Sequence, residues 1–180
     1  FGPIERGYRD AGHHIEFVPA DFRRFAPVLE AMAPRVMATA AALPDADGWM
    51  SLSLHAGATV DELHRVGANP DRVLIAEASP HFPRTMGLGP YSHRLHVDEC
   101  DFVVETDRAP VALPDPEPTD VDRAIAGFAT RYIEDGSTIQ TGIGSIPSTI
   151  AKLLAGGDGG DYGVHSEMFT SGLKLLHDSG

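Results

Sequence analysis

Gly163-Val-His-Ser-Glu-Met-Phe-Thr-Ser-Gly172, read with the earlier glycine turn Gln140-Thr-Gly-Ile-Gly-Ser-Ile-Pro147, is the stretch that decides the fold. Each piece has the pattern of a strand that ends and turns into a helix. Open α/β sheets bind their ligands at the carboxyl ends of such strands. The two junctions therefore predict parallel βαβ units, with Glu167 at the second turn.

The chain before these junctions follows the same alternation of strands and helices. Residues 35–43 and 72–78 are apolar runs without polar alternation, as is typical of parallel strands buried on both faces. The other predicted strands are 14–19, 49–54, 101–106, 137–140 and 162–165, and the predicted helices are 22–32, 59–65, 120–134, 148–154 and a last one bearing Leu173, Leu175 and Leu176. We therefore expect an α/β fold built of parallel-sheet βαβ domains.

Cap residues mark the start of three of these helices. Asp21 or its neighbour precedes the first, and Thr119 precedes another with Asp122 three residues on. Thr59 and Glu62 have the same capping-box spacing, which predicts reciprocal hydrogen bonds between each side chain and the other residue's backbone.

A proline-rich segment marks the predicted domain boundary. Residues 110–118 contain four prolines, at positions 110, 114, 116 and 118, and such a composition favours an extended, semi-rigid linker. We predict one domain over residues 1–109 and a second that begins at residue 119 and runs to residue 180.

Charge and composition exclude several classes of partner. Lys+Arg 14 against Asp+Glu 26 gives a net charge of −12, which disfavours binding to nucleic acid or to an anionic membrane surface. No apolar run is long enough to span a bilayer, and Cys100 has no second cysteine with which to form a disulfide. We expect a cytoplasmic protein. Because the sequence begins at Phe1 without an initiator Met, we also expect a piece of a longer chain.

The glycine turn offers backbone donors and little else. Its candidate ligand-binding residues are Gly142, Ile143, Gly144, Ser145, Ile146 and Pro147. Backbone N–H groups at a helix start can hold a phosphate or an oxyanion. The turn lacks the third glycine of a dinucleotide fingerprint and the lysine of a P-loop, so a plain tight turn stays open as an alternative. Ser145 has no nucleophile-elbow context, and its ordinary role would be a helix N-cap.

Three side-chain candidates each have a functional and a structural interpretation. Glu167 is either an acidic residue favoured by the dipole of a helix's first turn or a carboxylate placed beside the donors of the glycine turn. Arg84 is either a clamp for a carboxylate or a loop arginine in a surface ion pair. His93 and His96 are the tightest histidine pair, but no second cluster completes a metal site, and we predict none.

These motifs resemble the acetyl-CoA hydrolase/transferase family, and most closely its 4-hydroxybutyrate CoA-transferase branch. The resemblance rests on Gln140-Thr-Gly-Ile-Gly-Ser-Ile-Pro147 followed by Gly163-Val-His-Ser-Glu-Met168. Supporting matches are Pro83-Arg-Thr85 after a buried strand, the turn Asp47-Gly48 before Ser51-Leu52, and Pro116-Glu-Pro-Thr-Asp-Val-Asp-Arg123 at the domain junction. The resemblance covers essentially the whole chain.

The resemblance implies a class I CoA-transferase. Two similar CoA-transferase domains are expected, the second one truncated here, with Glu167 as the residue that carries coenzyme A as a thioester. It implies CoA binding by Gly142 to Pro147 and substrate binding by Arg84 and His165. It further implies acyl-CoA and small carboxylates such as acetate, butyrate or 4-hydroxybutyrate as substrates, no permanently bound cofactor or metal, and a homodimer or higher homo-oligomer.

The chain also departs from the family pattern. Ser79-Pro-His81 stands where the family would have asparagines, which weakens any acid-specificity role of that loop. A further glycine-rich segment, expected beyond Glu167 in the CoA and oxyanion sites, does not occur before Gly180, so we expect the 180 residues alone to be inactive. An acyl-CoA hydrolase and a non-catalytic acyl-CoA-binding module are the alternatives.

Overall fold

The computed structural model describes residues 3–55, 57–112 and 116–180, which form two compact units, Phe1–Val111 and Ala112–Gly180. The division falls inside the predicted linker 110–118, of which residues 113–115 lie outside the described part. No helix in the described ranges is long and apolar enough to cross a bilayer.

The first unit alternates helices and strands. Its elements are α1 (Pro3–Asp10), α2 (Phe22–Met32), β1 (Val36–Ala42), β2 (Trp49–Ser51), α3 (Val60–Gly67), β3 (Val73–Ser79), β4 (Arg94–His96), a 3₁₀ turn (Val97–Glu99) and β5 (Phe102–Glu105). Strands β1, β3 and β5 form a parallel sheet in that order, with Val36 beside Val73 and Ile75 beside Phe102. The α/β fold class with a parallel sheet is thereby confirmed.

The core of the first unit lies between α3 and the strands. Its fully buried side chains include Met50, Leu52, Leu63, Leu74 and Leu95. β2 pairs with β4 in a separate antiparallel ribbon, so the predicted strand 49–54 is shorter than expected and does not join the parallel sheet. Strand β4 was not predicted, because Leu95 is its single apolar residue and three residues show no alternation of apolar and polar side chains.

The predicted strand over residues 14–19 is wrong. That segment forms no strand, and Phe17 and Val18 are exposed. An isolated strand would leave its backbone N–H and C=O groups unpaired, and within the described residues no strand lies where it could pair with residues 14–19. Alternation alone could not reveal the missing neighbour. The helix before it, α1, was not predicted either.

The Thr59–Glu62 capping box is also wrong. Thr59 does precede α3, but its hydroxyl contacts Nε2 of His55 at 2.5 Å and caps no helix N–H. Glu62 is 2% exposed and turns inward, where Arg72 donates to it at 2.6 Å and Arg65 at 2.9 Å. Two arginine partners outcompete a single backbone donor for this carboxylate.

The second unit is smaller and carries both predicted junctions. Its elements are α4 (Asp120–Ala129), a 3₁₀ turn (Thr130–Tyr132), β6 (Thr138–Ile139), α5 (Ser145–Ala155), β7 (Gly163–Val164) and α6 (Ser171–Asp178). The Thr119–Asp122 capping box is confirmed, with Asp122 N–H donating to the Thr119 hydroxyl at 3.2 Å and Thr119 N–H to Asp122 at 2.8 Å. α5 and α6 approach closely at Gly172, where an added Cβ would lie 2.8 Å from Cβ of Ala151.

Candidate active site

The loops after β6 and β7 lie side by side. The two strands are parallel, with Thr138 beside Gly163 and Ile139 beside Val164. The backbone N–H of His165 donates to the Ile139 carbonyl at 3.0 Å and extends the ladder by one residue. The carboxyl ends of both strands therefore meet at one edge, and the glycine turn and the Glu167 loop leave from that edge together, as the sequence predicts.

The glycine turn ends at an uncapped helix start. Gly144 is the N-cap residue of α5, with φ +139° and no side-chain hydrogen bond to the helix. A side chain is disfavoured at that φ, which accounts for a glycine there. Within the described residues no protein acceptor is found for the backbone N–H groups of residues 142–146. Their donors and the positive end of α5 suit an anionic group.

Ser145 is the first residue of α5 and not its N-cap, contrary to the sequence-based expectation. The cap position falls one residue earlier because Gly144 adopts a backbone conformation that only glycine reaches easily. Hydrogen bonds from Thr119, first its backbone N–H and then its hydroxyl, lower the pKa of Asp122, and a hydrogen bond with the Ser145 hydroxyl lowers it further. Ser145 thus joins the starts of α4 and α5.

Glu167 stands in an irregular segment, outside any helix. α6 begins at Ser171 after its cap residue Thr170, so Glu167 does not occupy a helix's first turn. It is exposed in this unit, and its carboxylate has no hydrogen bond or ion pair with the part of the chain that the structure describes. A carboxylate without partners keeps its lone pairs available for attack on a carbonyl carbon.

Residues before and after Glu167 are held by hydrogen bonds, although the Glu167 side chain is not. The Ser166 hydroxyl donates to the Thr141 carbonyl at 3.1 Å and accepts from the Thr141 N–H at 3.4 Å. The Thr141 and Thr170 hydroxyls lie 3.2 Å apart. Sequence reasoning missed Thr141, Ser166 and Thr170. The signal available in the sequence was that a residue with a hydroxyl group, Thr141 or Ser166, directly follows each of the two predicted strands.

An apolar cavity of about 240 Å³ borders the glycine turn. Its lining residues include Ile133, Ile139, Gly142, Pro147, Ile150 and Leu154. The turn therefore offers backbone donors beside an apolar recess in the same unit. His165, the other predicted substrate-binding residue here, is exposed two positions before Glu167.

Arg84 lies in the first unit, where its half-exposed side chain makes three hydrogen bonds. Its guanidinium donates to the Leu43 carbonyl at 2.9 Å, to Asp45 at 2.9 Å and to the Trp49 carbonyl at 3.1 Å. This geometry favours the structural interpretation of Arg84 over a carboxylate clamp. Its assignment to substrate binding stays a prediction.

The rings of His93 and His96 each form a hydrogen bond with a backbone carbonyl. His93 Nε2 lies 3.2 Å from the Ser53 carbonyl, and His96 Nε2 lies 2.9 Å from the Asp47 carbonyl. In the described ranges no group of three or more His, Cys, Asp or Glu side chains is placed to hold a metal ion.

A second cavity, of about 600 Å³, lies in the first unit between α3 and the loop of residues 85–93. Ser53 lines it and is 4% exposed, with φ +54°. Its buried hydroxyl has no hydrogen-bond partner among the residues that the structure describes. Both features cost stability in a serine.

Comparisons with known proteins identify relatives along nearly the whole chain. No family model matches. Succinyl-CoA:cyclohexane-1-carboxylate CoA transferase of Geobacter metallireducens is 29% identical over 98% of this chain and 37% of its own length. The 4-hydroxybutyrate coenzyme A transferase of Clostridium kluyveri is 32% identical over 76% of this chain and 29% of its own length.

A solved structure shares the fold. The 4-hydroxybutyrate CoA-transferase of Porphyromonas gingivalis superposes with a TM-score of 0.77 at 24% identity, over 100% of this chain and 44% of that one. The chain thus spans between 29% and 37% of the length of the two curated relatives above.

Proposed function

Because this chain belongs by homology to the CoA-transferases, we propose that the protein it is part of transfers coenzyme A from an acyl-CoA to a small carboxylic acid, with Glu167 as the nucleophile. One observation carries the proposal. The segment that carries the unpartnered carboxylate of Glu167 and the turn that carries the open N–H donors of residues 142–146 begin at the same edge of the β6–β7 sheet. A nucleophile beside preorganised backbone donors is the arrangement that acyl transfer needs.

The proposed reaction proceeds in balanced exchanges. A Glu167 carboxylate oxygen attacks the thioester carbonyl, the C–S bond breaks, and CoA thiolate leaves an acyl-glutamyl anhydride. The thiolate then attacks the glutamyl carbonyl, releasing the first carboxylate and forming a glutamyl-CoA thioester. An acceptor carboxylate reverses both steps, so that a new acyl-CoA and free Glu167 result. No net proton or electron is exchanged, and the kinetics are ping-pong.

The glycine turn supplies the electrostatic part of the proposal. Each attack places negative charge on a carbonyl oxygen, and backbone N–H groups held in the turn would stabilise that charge without reorganisation. The donors of residues 142–146 could instead hold a phosphate of the coenzyme, as uncapped helix starts commonly do. In both cases we assign Gly142 to Pro147 to binding of the coenzyme or its thioester.

The relatives' names guide the proposed substrates and setting. They include a 4-hydroxybutyrate and a butyryl-CoA:acetate CoA-transferase, so we propose acetate, butyrate or 4-hydroxybutyrate as the acid. We further propose a cytoplasmic homo-oligomer that uses CoA as a substrate and holds no permanent cofactor. His165 and Arg84 remain proposed contacts to the acid.

Acyl-CoA hydrolysis is the second candidate. It is favoured by the exposure of Glu167 within its own unit, because water that reaches a glutamyl-CoA thioester would release free CoA. A binding module without turnover would form no covalent adduct at all.

The mass of the intact full-length protein after incubation with acetyl-CoA tests the proposal. We expect a CoA adduct in the wild type and none in Glu167→Gln, because an amide cannot form the anhydride. Added acetate or butyrate should capture the coenzyme faster than free CoA appears if the protein is a transferase. An adduct that persists in Glu167→Gln would refute the nucleophile, and no adduct in the wild type would favour a binding module.

A further inference from the structure

We infer that Thr141, through its contacts with Ser166 and Thr170, is a positioning residue for Glu167. The inference rests on the proposed function and adds to it a device that aligns the nucleophile with the donors of the glycine turn. We call the three residues the hydroxyl clasp.

The need for such a device follows from where Glu167 lies. It stands in the irregular segment between Val164, the last residue of β7, and Ser171, the first residue of α6. Its own carboxylate has no partner in the described part of the chain. Regular secondary structure therefore does not fix its backbone, and only its neighbours in the sequence can.

Those neighbours are held on both sides by one residue. Ser166, directly before Glu167, makes two hydrogen bonds to the backbone of Thr141, at 3.1 and 3.4 Å. Thr170, three residues after Glu167, meets the Thr141 hydroxyl at 3.2 Å. The Thr170 hydroxyl also accepts the Leu173 N–H at 3.4 Å as the N-cap of α6. The segment that carries Glu167 is thus closed at both ends.

The partner of both ends belongs to the glycine turn. Thr141 is 8% exposed and directly precedes Gly142, the first of the open N–H donors. A shift of the Glu167 backbone relative to those donors would have to break partly buried hydrogen bonds, and it would leave polar groups of the buried Thr141 without partners, which is costly. The clasp therefore restrains the backbone that carries Glu167 relative to the start of the glycine turn.

The two ends of the clasp can be separated by mutation. Thr141→Val removes the contact to Thr170 but keeps the backbone groups that bond Ser166. Ser166→Ala removes the other two bonds and keeps the Thr141–Thr170 contact. Thr141→Ser keeps the hydroxyl and should behave like the wild type. Thr130→Val is the matched control, because it removes a half-buried threonine hydroxyl that bonds the Gly127 carbonyl at 3.2 Å in the same unit.

The experiment measures kcat, KM for acetyl-CoA and the rate of CoA-adduct formation in the full-length protein. We expect Thr141→Val and Ser166→Ala to lower kcat and the adduct rate by about 10- to 100-fold, as misplacement of a reacting group does. KM should change by less than about threefold, because ground-state binding is untouched. Thr141→Ser and Thr130→Val should match the wild type, and melting temperatures identify any variant that fails to fold.

Distinct results would overturn the clasp and the nucleophile. If Glu167→Gln forms no adduct while Thr141→Val and Ser166→Ala turn over like the wild type, the clasp is refuted and the proposed function stands. If Thr130→Val loses as much activity as the clasp variants, their effect is general destabilisation and the clasp is again refuted. If Glu167→Gln still forms the adduct, the proposed function itself fails.

Discussion

At the scale of single residues, the hydrogen bonds of the His55 ring determine which groups Gly57 and Thr59 can bond. The Gly57 N–H donates to Nδ1 of this ring at 2.9 Å, so that nitrogen is an acceptor and the ring proton resides on Nε2. Nε2 then donates to the Thr59 hydroxyl at 2.5 Å, which explains why Thr59 does not cap α3. This bonding pattern requires a neutral ring.

We predict that His55 makes the fold sensitive to acid. Burial, and then the charge of nearby His93, lower the pKa of His55 below its ordinary 6.5. Between that lowered value and 6.5 the unfolded chain binds more protons at this residue. The contribution of His55 to the free energy of unfolding is therefore fully present above pH 6.5 and is lost as the pH falls through 6.5 towards the lowered value. Urea unfolding over a pH series measures this dependence.

Two variants make the acid test specific. His55→Gln removes the titrating ring and should flatten the fall below the ordinary histidine pKa. His14→Gln, at a side chain that is 90% exposed, should leave the fall unchanged. An identical pH dependence in the wild type and His55→Gln would show that another group is responsible.

At the scale of elements, local signals were reliable where one segment contains all of its partners. α2 runs over Phe22–Met32 as predicted, because Asp21 accepts the Arg24 N–H at 2.9 Å and the apolar spacing is helical. Two predictions failed for want of information about partners: the strand over residues 14–19 has no neighbouring strand within the described residues, and the side chains of Thr59 and Glu62 bond other side chains within ten positions instead of the helix backbone. A strand needs a neighbour, and a carboxylate goes to its strongest donor.

The candidate site likewise has features that the sequence predicts and features that it does not. Both strand–turn–helix junctions, and their meeting at one edge, follow from the sequence pattern. The hydroxyl clasp does not, because Thr141 and Ser166 are 25 positions apart and meet only in the register that places Thr138 beside Gly163. Sequence alone fixes neither that register nor the rotamers of the hydroxyls.

The buried Glu62 is the element-scale feature with the clearest effect on stability. It lies on α3 between Arg65 and Arg72, and Arg72 also donates to the Pro34 carbonyl at 2.9 Å. Burial raises the pKa of Glu62, but hydrogen bonds from Arg72 and Arg65 outweigh it and leave the pKa lowered. The carboxylate joins α3 to the start of β3 and to the segment before β1.

We predict that Glu62→Ala lowers the free energy of unfolding by roughly 3 kcal/mol, because it leaves the guanidinium of Arg72, only 12% exposed, without its carboxylate partner. Glu30→Ala is the control, since Glu30 is 62% exposed and lies 3.6 Å from Arg65, and exposed pairs contribute less than about 1 kcal/mol. Urea denaturation of both variants measures the difference. Equal losses in the two would contradict the assigned role of Glu62.

At the scale of the whole molecule, the chain carries Glu167, the proposed nucleophile, and spans only part of the length of its curated relatives. It covers 37% of the length of the Geobacter relative. The donors of residues 142–146 follow the strand next to the one that leads into the Glu167 segment, and the family resemblance implies a further glycine-rich segment beyond Glu167. Catalysis by covalent transfer needs all of these groups held together.

We therefore predict that the 180 residues alone transfer no coenzyme A. Release of free CoA and capture by acetate, both followed from acetyl-CoA, are the measurements. The full-length protein at the same molar concentration is the positive control. Measurable transfer by the 180-residue chain would refute this prediction and would mean that these residues contain a complete site.

β5 has a practical consequence for that test. Its residues Phe102, Val103, Val104 and Glu105 are all exposed, and within the described residues it pairs only with β3. A bare apolar strand edge recruits strands from other molecules. The isolated chain is therefore expected to self-associate as its concentration rises, and inactivity would be informative only in dilute samples that light scattering shows to be monodisperse.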